Sequence, residues 1–150
     1  IEEEEVAKRI EELGKKISED YAGKQVHLIC VLKGGVFFMC ELAKRISIPV
    51  SMDFMSVSSY GDGTSSSGVV KIAKDLDETL EGKDVLVVAK RHPSSMRLCT
   101  LLDKPERRVR DVKVDYVGFE IPDEFVVGYG LDYAQKYRNL PYIGVVEGVE

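Results

Sequence analysis

An α/β fold, a mostly parallel twisted sheet flanked by helices, is predicted by three features of this 150-residue chain. Val6, Ile10, Leu13, Ile17 and Tyr21 recur at intervals of four, three, four and four, which is one face of a helix. Gln25 to Leu32 and Asp84 to Val88 are nearly continuous apolar runs, as strands buried on both faces of a parallel sheet require. Further helical and strand patterns are mixed along the rest of the chain, and in such sheets ligands bind at the carboxyl ends of the strands.

The elements follow in order. Glutamates load the first turn of the opening helix, where the helix dipole favours negative charge, and Gly23 ends it. After the strand to Leu32, Lys33-Gly34-Gly35 turns the chain, and Val36 to Ile46 reads as a second helix. Val50 to Val57 alternates as a strand. Ser58 to Gly68 is too rich in Gly and Ser to pack and is predicted as a mobile loop, with Val69 to Lys74 returning as the other arm of a hairpin. Asp84 to Val88, Met96 to Leu102 and Val112 to Phe119 are three more strands, and Phe125–Val127 and Ile143–Val146 are short ones. No internal repeat or linker divides the chain, so residues 1–150 are expected to form a single domain.

Hydrophobic content of 44% and charged content of 31% are ordinary for a globular protein. A net charge of −5 argues against a general nucleic-acid binder, and Arg107, Arg108 and Arg110 read as a solvated turn or subunit contact. Cys30, Cys40 and Cys99 are odd in number and far apart, which suits buried free thiols in a reducing compartment. No apolar run approaches a membrane span, and the acidic start is unlike a signal peptide, so a cytoplasmic protein without membrane partners is expected.

Several residues carry chemistry. Lys33-Gly34-Gly35 follows a buried strand and opens a helix, where backbone N–H groups and helix polarity suit a diphosphate; a plain glycine turn is the bland alternative. Lys104 stands at a strand end before Pro105, and its ammonium can donate to a ligand's carbonyl oxygen or simply be solvated. Phe125 offers a face for stacking a base, and the backbone of Val126 can read the base edge; core packing is the default for an aromatic beside two valines. Asp132 lies past Gly128 and Gly130, where its carboxylate can reach Mg²⁺ or cap the segment starting at Tyr133. Arg138 follows, a planar fork suited to pyrophosphate oxygens or a surface arginine.

The joint order of Val31-Leu-Lys-Gly-Gly35, Ser58-Ser-Tyr-Gly-Asp-Gly63, Leu101-Leu-Asp-Lys-Pro-Glu-Arg107 and Asp123-Glu-Phe-Val-Val-Gly-Tyr-Gly-Leu-Asp-Tyr133 closely resembles the hypoxanthine-guanine phosphoribosyltransferases of bacteria. The resemblance covers nearly the whole chain. It implies a hood from the terminal segments and a hairpin lid. The implied reaction joins hypoxanthine or guanine to 5-phosphoribosyl 1-diphosphate (PRPP) with Mg²⁺ as cofactor, giving IMP or GMP and pyrophosphate. It also implies roles: Lys104, Phe125 and Val126 for the base; Lys33, Gly34 and Arg138 for pyrophosphate; Asp132 for metal; and Ser59 and Tyr60 for the catalytic lid. A lid has a physical purpose here, because water would intercept the oxocarbenium-like sugar. The Leu32–Lys33 peptide is often cis in this family, whose members commonly work as homodimers or homotetramers.

One motif of the family is absent. After a strand like Asp84 to Val88 its members carry a Glu-Asp pair, an apolar pair and Asp-Thr-Gly before a helix. That loop supplies contacts to ribose and metal, the candidate general base and the 5′-phosphate cradle. Here the strand runs into Ala89-Lys-Arg-His-Pro93, with Ala89 in the place of the first acid. Adjacent parallel strands need a crossover of about a dozen residues or more, yet only seven separate Val88 from Met96. Either the chain is shortened at positions 88–89, or the printed sequence skips residues there, or the two strands form an antiparallel hairpin. A gap or deletion is the expectation, with Val88 and Ala89 beyond peptide-bond distance and turnover lost if the loop is truly missing.

Overall fold

A computed structural model describes residues 1–59, 70–77, 80–89, 97–105 and 114–148, with only the backbone of strand residues 57–59 and 70–74. The opening helix, α1, spans Glu3–Asp20 and carries Glu3, Glu4 and Glu5 in its first turn. Its buried face is Val6, Ile10, Leu13 and Ile17, the stripe expected from the spacing, with Gly14 between them. A Cβ on Gly14 would lie 2.6 Å from the Cβ of Arg45, so this glycine lets α1 press against the second helix. That helix, α2, spans Val36–Arg45, buries Phe38, Met39 and Leu42, and ends on Lys44 and Arg45, the charge sign its C-terminus favours.

Six strands make the main sheet: β1 Val26–Leu32, β2 Val50–Ser59, β3 Val70–Lys74, β4 Asp84–Ala89, β5 Leu98–Asp103 and β6 Tyr116–Glu120, in the spatial order β3-β2-β1-β4-β5-β6. All neighbours are parallel except β3, which returns antiparallel along β2, from Ser56↔Lys74 to Ser59↔Val70. The strands predicted from Met96 and Val112 start later, at Leu98 and Tyr116; Met96 and Val112 themselves lie outside the described residues.

The step from β4 to β5 removes one of the alternatives left open for that region. The strands pair in parallel, Val87↔Leu98, Val88↔Cys99 and Ala89↔Thr100, so an antiparallel hairpin is overturned. β4 runs unbroken through Val88 and Ala89, so the expected break between those two residues is overturned, and eight residues separate the strand from β5. That connection is shorter than a helical crossover needs.

Alternating strand residues feed two apolar clusters. Leu28, Cys30, Leu86, Val88, Cys99 and Leu101 join the buried faces of α1 and α2 on one side. On the other, Ile29, Val87, Ala89 and Leu98 pack with Leu76, Leu80 and Val114, and no described helix contributes. The carboxylate of Asp53, buried on this second side, accepts the N–H groups of Phe54 (2.7 Å) and Asp77 (2.9 Å), tying the segment after β3 to the sheet. His27 interrupts the apolar run of β1; it is buried, with Nδ1 2.7 Å from Ser51 Oγ. Cys30 and Cys99 are buried free thiols as expected, whereas Cys40 is exposed.

The hood forms from both ends of the chain. Strands β7, Val126–Val127, and β8, Gly144–Val145, pair antiparallel, and Ile143 N–H donates to the carbonyl of Ile1 at 3.0 Å.

Candidate active site at the strand ends

The carboxyl ends of β1, β4 and β5 converge on a small cavity lined by Gly34, Gly35, Ala89, Leu101, Leu102 and Leu131. The Leu32–Lys33 peptide is cis, and the loop after it delivers Gly35 to the first turn of α2. Gly35 N–H donates back to Val31 (3.4 Å), and Val36 N–H to Lys33 (3.2 Å), which holds the turn tight.

Against this turn lies a segment from Gly128 to Arg138. Gly130, at φ +93, approaches so closely that a Cβ there would sit 2.5 Å from the carbonyl oxygen of Gly34. Only glycine tolerates both that approach and that backbone. The contact brings Lys33 and Arg138 to one open cleft of about 670 Å³, with Leu32, Phe37, Gln135 and Tyr137 along its walls. With Lys136, which also lines it, three cations face a common space, as an anion site requires.

Downstream, Tyr133 and Lys136 exchange N–H···O=C bonds at 3.0 Å across Ala134 (φ 52) and Gln135 (φ 65). This is a tight two-residue hairpin turn made without the Asn-Gly residues such turns favour. Asp132 stabilises it, accepting the N–H of Gln135 at 2.9 Å, so its capping role is real but serves a turn rather than a helix. The other carboxylate oxygen meets Arg138 Nη2 at 3.3 Å, while Arg138 Nη1 donates to the carbonyl of Gly130 at 2.8 Å.

The residues expected to read a base also come together. Lys104 follows β5, and its Nζ donates to the carbonyl of Glu124 at 2.5 Å, directly before Phe125. Phe125 is 41% exposed, so its ring is not core packing. It meets Tyr133 edge-on, with centroids 5.6 Å apart and planes at 87°. Val126 begins β7 and is half-buried, and Val146 N–H holds the Phe125 carbonyl at 2.9 Å. Burial, with Glu41 and Glu3 adding, pushes the Tyr129 hydroxyl up to about 12, so it stays protonated.

Ser59 ends β2 opposite Val70, at the base of the hairpin expected to form a lid. Tyr60, the loop after it and the Arg107–Arg110 cluster lie outside the described residues. Ala89 is buried, 1% exposed, at the carboxyl end of β4 beside the glycine loop. A methyl group thus occupies the floor of the site where an acid was expected. Two contributors escaped the sequence reading. Gly130 reads only as a turn residue, and Tyr133 only as the start of a segment; Gly128 and Gly130 turn the chain between Phe125 and Tyr133, so no regular period signals their contact.

Comparison with known proteins agrees with this geometry. Residues 1–89 match the model of the phosphoribosyl transferase domain family. The hypoxanthine-guanine phosphoribosyltransferase of Streptococcus thermophilus (strain CNRZ 1066) is 49% identical over 162 residues, covering 97% of this chain and 90% of the relative. The hypoxanthine phosphoribosyltransferase of Salmonella typhimurium is 49% identical over 165 residues, covering 97% and 93%. A crystal structure of a hypoxanthine phosphoribosyltransferase from Staphylococcus aureus superposes with a TM-score of 0.89 at 46% identity, covering 97% of this chain and 88% of that one. At these identities and coverages, the chain belongs to the hypoxanthine-guanine phosphoribosyltransferase family.

Proposed function

We propose that this protein transfers the 5-phosphoribosyl group of PRPP to hypoxanthine or guanine, giving IMP or GMP and pyrophosphate. The observation that carries this reading is the packing of Gly130 on Gly34, which supports a cationic cleft and, beyond it, the Lys104–Phe125 base platform. In the transfer, the bond from sugar carbon to diphosphate oxygen breaks, a bond to purine nitrogen forms, and the purine N–H proton passes to water or to the departing pyrophosphate. Lys33, the Gly34 backbone and Arg138 hold the leaving diphosphate. Lys104 donates to the purine carbonyl oxygen, Phe125 stacks on the ring, and the Val126 backbone reads its edge. Ser59 and Tyr60 belong to the lid that excludes water.

Asp132 suits Mg²⁺, because a half-buried carboxylate at the cleft is the hard oxygen donor this ion takes together with phosphate oxygens and waters. Bound there, the ion would neutralise charge on the diphosphate. Among the described residues there is no cluster of three or more potential metal ligands, which fits a cation shared with substrate rather than caged by protein. The substrates proposed are small molecules: PRPP, purine base and nucleotide. Exposed Phe37, Tyr137 and Tyr142 support self-association as a homodimer or homotetramer. Buried free thiols support the cytoplasm as its compartment, and no described helix is long and apolar enough to cross a membrane.

A second reading is favoured by the end of β4. The family match stops at Ala89, and eight residues span a parallel crossover. The alignment to the S. thermophilus relative is 162 residues long, whereas 97% of 150 residues is about 146, a shortfall of about sixteen. These observations support a chain shortened by a deletion after β4. Such a chain keeps the base platform and diphosphate cleft but lacks the candidate general base and the 5′-phosphate cradle. Losing the acid–base residue alone typically costs about 10²–10⁴-fold, and positioning of the sugar phosphate is lost with it. It would bind purine without measurable turnover.

Intact mass and a transfer assay with PRPP, Mg²⁺ and hypoxanthine or guanine distinguish the two. A mass near 16.8 kDa with purine binding and no IMP or GMP establishes the shortened binder. A mass heavier by a loop and helix, with turnover, establishes the transferase. Neither binding nor turnover overturns both.

A further inference from the structure

We propose that Tyr133 is a positioning residue for the purine, acting through Phe125, and that it ties the base platform to the diphosphate cleft. The inference rests on the base-binding role given to Phe125 above. Both rings stand at the surface, Phe125 41% and Tyr133 43% exposed, so the core does not fix either plane. Instead they hold each other edge-on at 5.6 Å and 87°, the arrangement in which the positive edge of one ring meets the negative face of the other.

A stacking ring that is half-exposed must lose rotamer freedom when a base lands on it. A neighbour that has already fixed its plane removes that cost before the ligand arrives. Tyr133 is itself fixed by its backbone: its N–H and C=O both pair with Lys136 at 3.0 Å, closing the hairpin that Asp132 braces through Gln135. Asp132 precedes Tyr133 and faces the cleft side through Arg138. One residue thus joins the hairpin carrying the diphosphate groups, by its backbone, to the base platform, by its ring.

The test is a double-mutant cycle of Tyr133→Ala and Phe125→Leu, read by calorimetric titration of hypoxanthine in the presence of Mg²⁺ and inorganic pyrophosphate. Tyr133→Ala is expected to weaken hypoxanthine binding roughly two- to tenfold, the span of an aromatic pair. In the Phe125→Leu background the same change should cost nothing further, because a positioning residue has nothing left to position. Tyr133→Phe should restore binding to within about twofold, since the ring and not the hydroxyl makes the contact. Pyrophosphate affinity and melting temperature should stay as in the unaltered protein; Tyr133→Leu, which keeps apolar bulk, carries the same test if the alanine variant melts early.

Equal losses in both Phe125 backgrounds would mean that Tyr133 touches the purine itself, and would overturn the inference. Unchanged hypoxanthine binding in Tyr133→Ala, or loss of pyrophosphate binding along with it, would do the same. If the unaltered protein binds no hypoxanthine, the parent reading of the base site fails and this inference with it; the other outcomes leave that reading standing.

Discussion

Asp132 and Arg138 neutralise each other across the mouth of the cleft, carboxylate to guanidinium at 3.3 Å, with three-quarters of each side chain covered. Each is also tethered to backbone, Asp132 to Gln135 N–H and Arg138 to the Gly130 carbonyl. A cation arriving alone would leave the guanidinium without its partner, and an anion arriving alone would strand the carboxylate.

Mg²⁺ and pyrophosphate are therefore expected to bind as a pair. Isothermal titration should show each alone binding at least about tenfold more weakly than in the presence of the other. In Arg138→Gln the mutual enhancement should fall to about twofold or less, while thermal stability changes by less than about 1 kcal/mol, as for a partly exposed ion pair.

The hairpin at Ala134 and Gln135 is made of the wrong residues for its backbone, with φ of 52 and 65 where asparagine and glycine are preferred. Ala134→Asn, alone or with Gln135→Gly, should stabilise the protein by about 0.5–1 kcal/mol. For a chain of this size that is a rise of about 1–4 °C in Tm, readable in a thermal melt. A fall would mean that the turn is not formed in solution.

Gly130→Ala has the opposite expectation. The new methyl would meet the Gly34 carbonyl oxygen at 2.5 Å, on a backbone at φ +93 that alanine resists. The hairpin must lift off the Lys33–Gly34 turn, so pyrophosphate binding should drop at least about tenfold, with about 2 kcal/mol or more of lost stability. Unchanged pyrophosphate affinity would dissociate that contact from the cleft.

Thiol chemistry offers a check on the core. Burial pushes the Cys30 thiol up to about 12, with Cys40 adding, and burial pushes Cys99 up as well. Only exposed Cys40 should react rapidly with a thiol reagent at pH 8 in the folded protein. These groups and Tyr129 hold their protons in the folded state at pH values where the unfolded chain has released them. Stability should accordingly fall as pH rises from about 9 toward 12, with no such loss below 9. Thermal melts at pH 8 and pH 10.5 measure the difference.

Much of this architecture was legible in the residues. The four-and-three spacing of Val6 to Ile17 set the buried face of α1, and the apolar runs marked β1 and β4 as central strands. The order of Lys33, Lys104, Phe125, Asp132 and Arg138 carried the family resemblance that the relatives bear out. What the chain could not display was contact between distant segments. The Gly130–Gly34 approach depends on two turns meeting, and the Asp132–Arg138 pair on a hairpin with no favourable turn residues to announce it. Strand starts at Leu98 and Tyr116 were placed a few residues early, because apolar residues ahead of them extend the pattern beyond the paired backbone.

The parallel register of Val87–Ala89 against Leu98–Thr100 has a meaning for how this fold changes over time. Eight residues join the two strands, fewer than a helical crossover takes, yet they pair in parallel and in register, so the alignment of the strands does not require a path of that length between them. The junction after Ala89 is therefore a splice point: a segment taken from a longer homologue can be grafted there, and the sheet should accept the transplant without shifting a single pair.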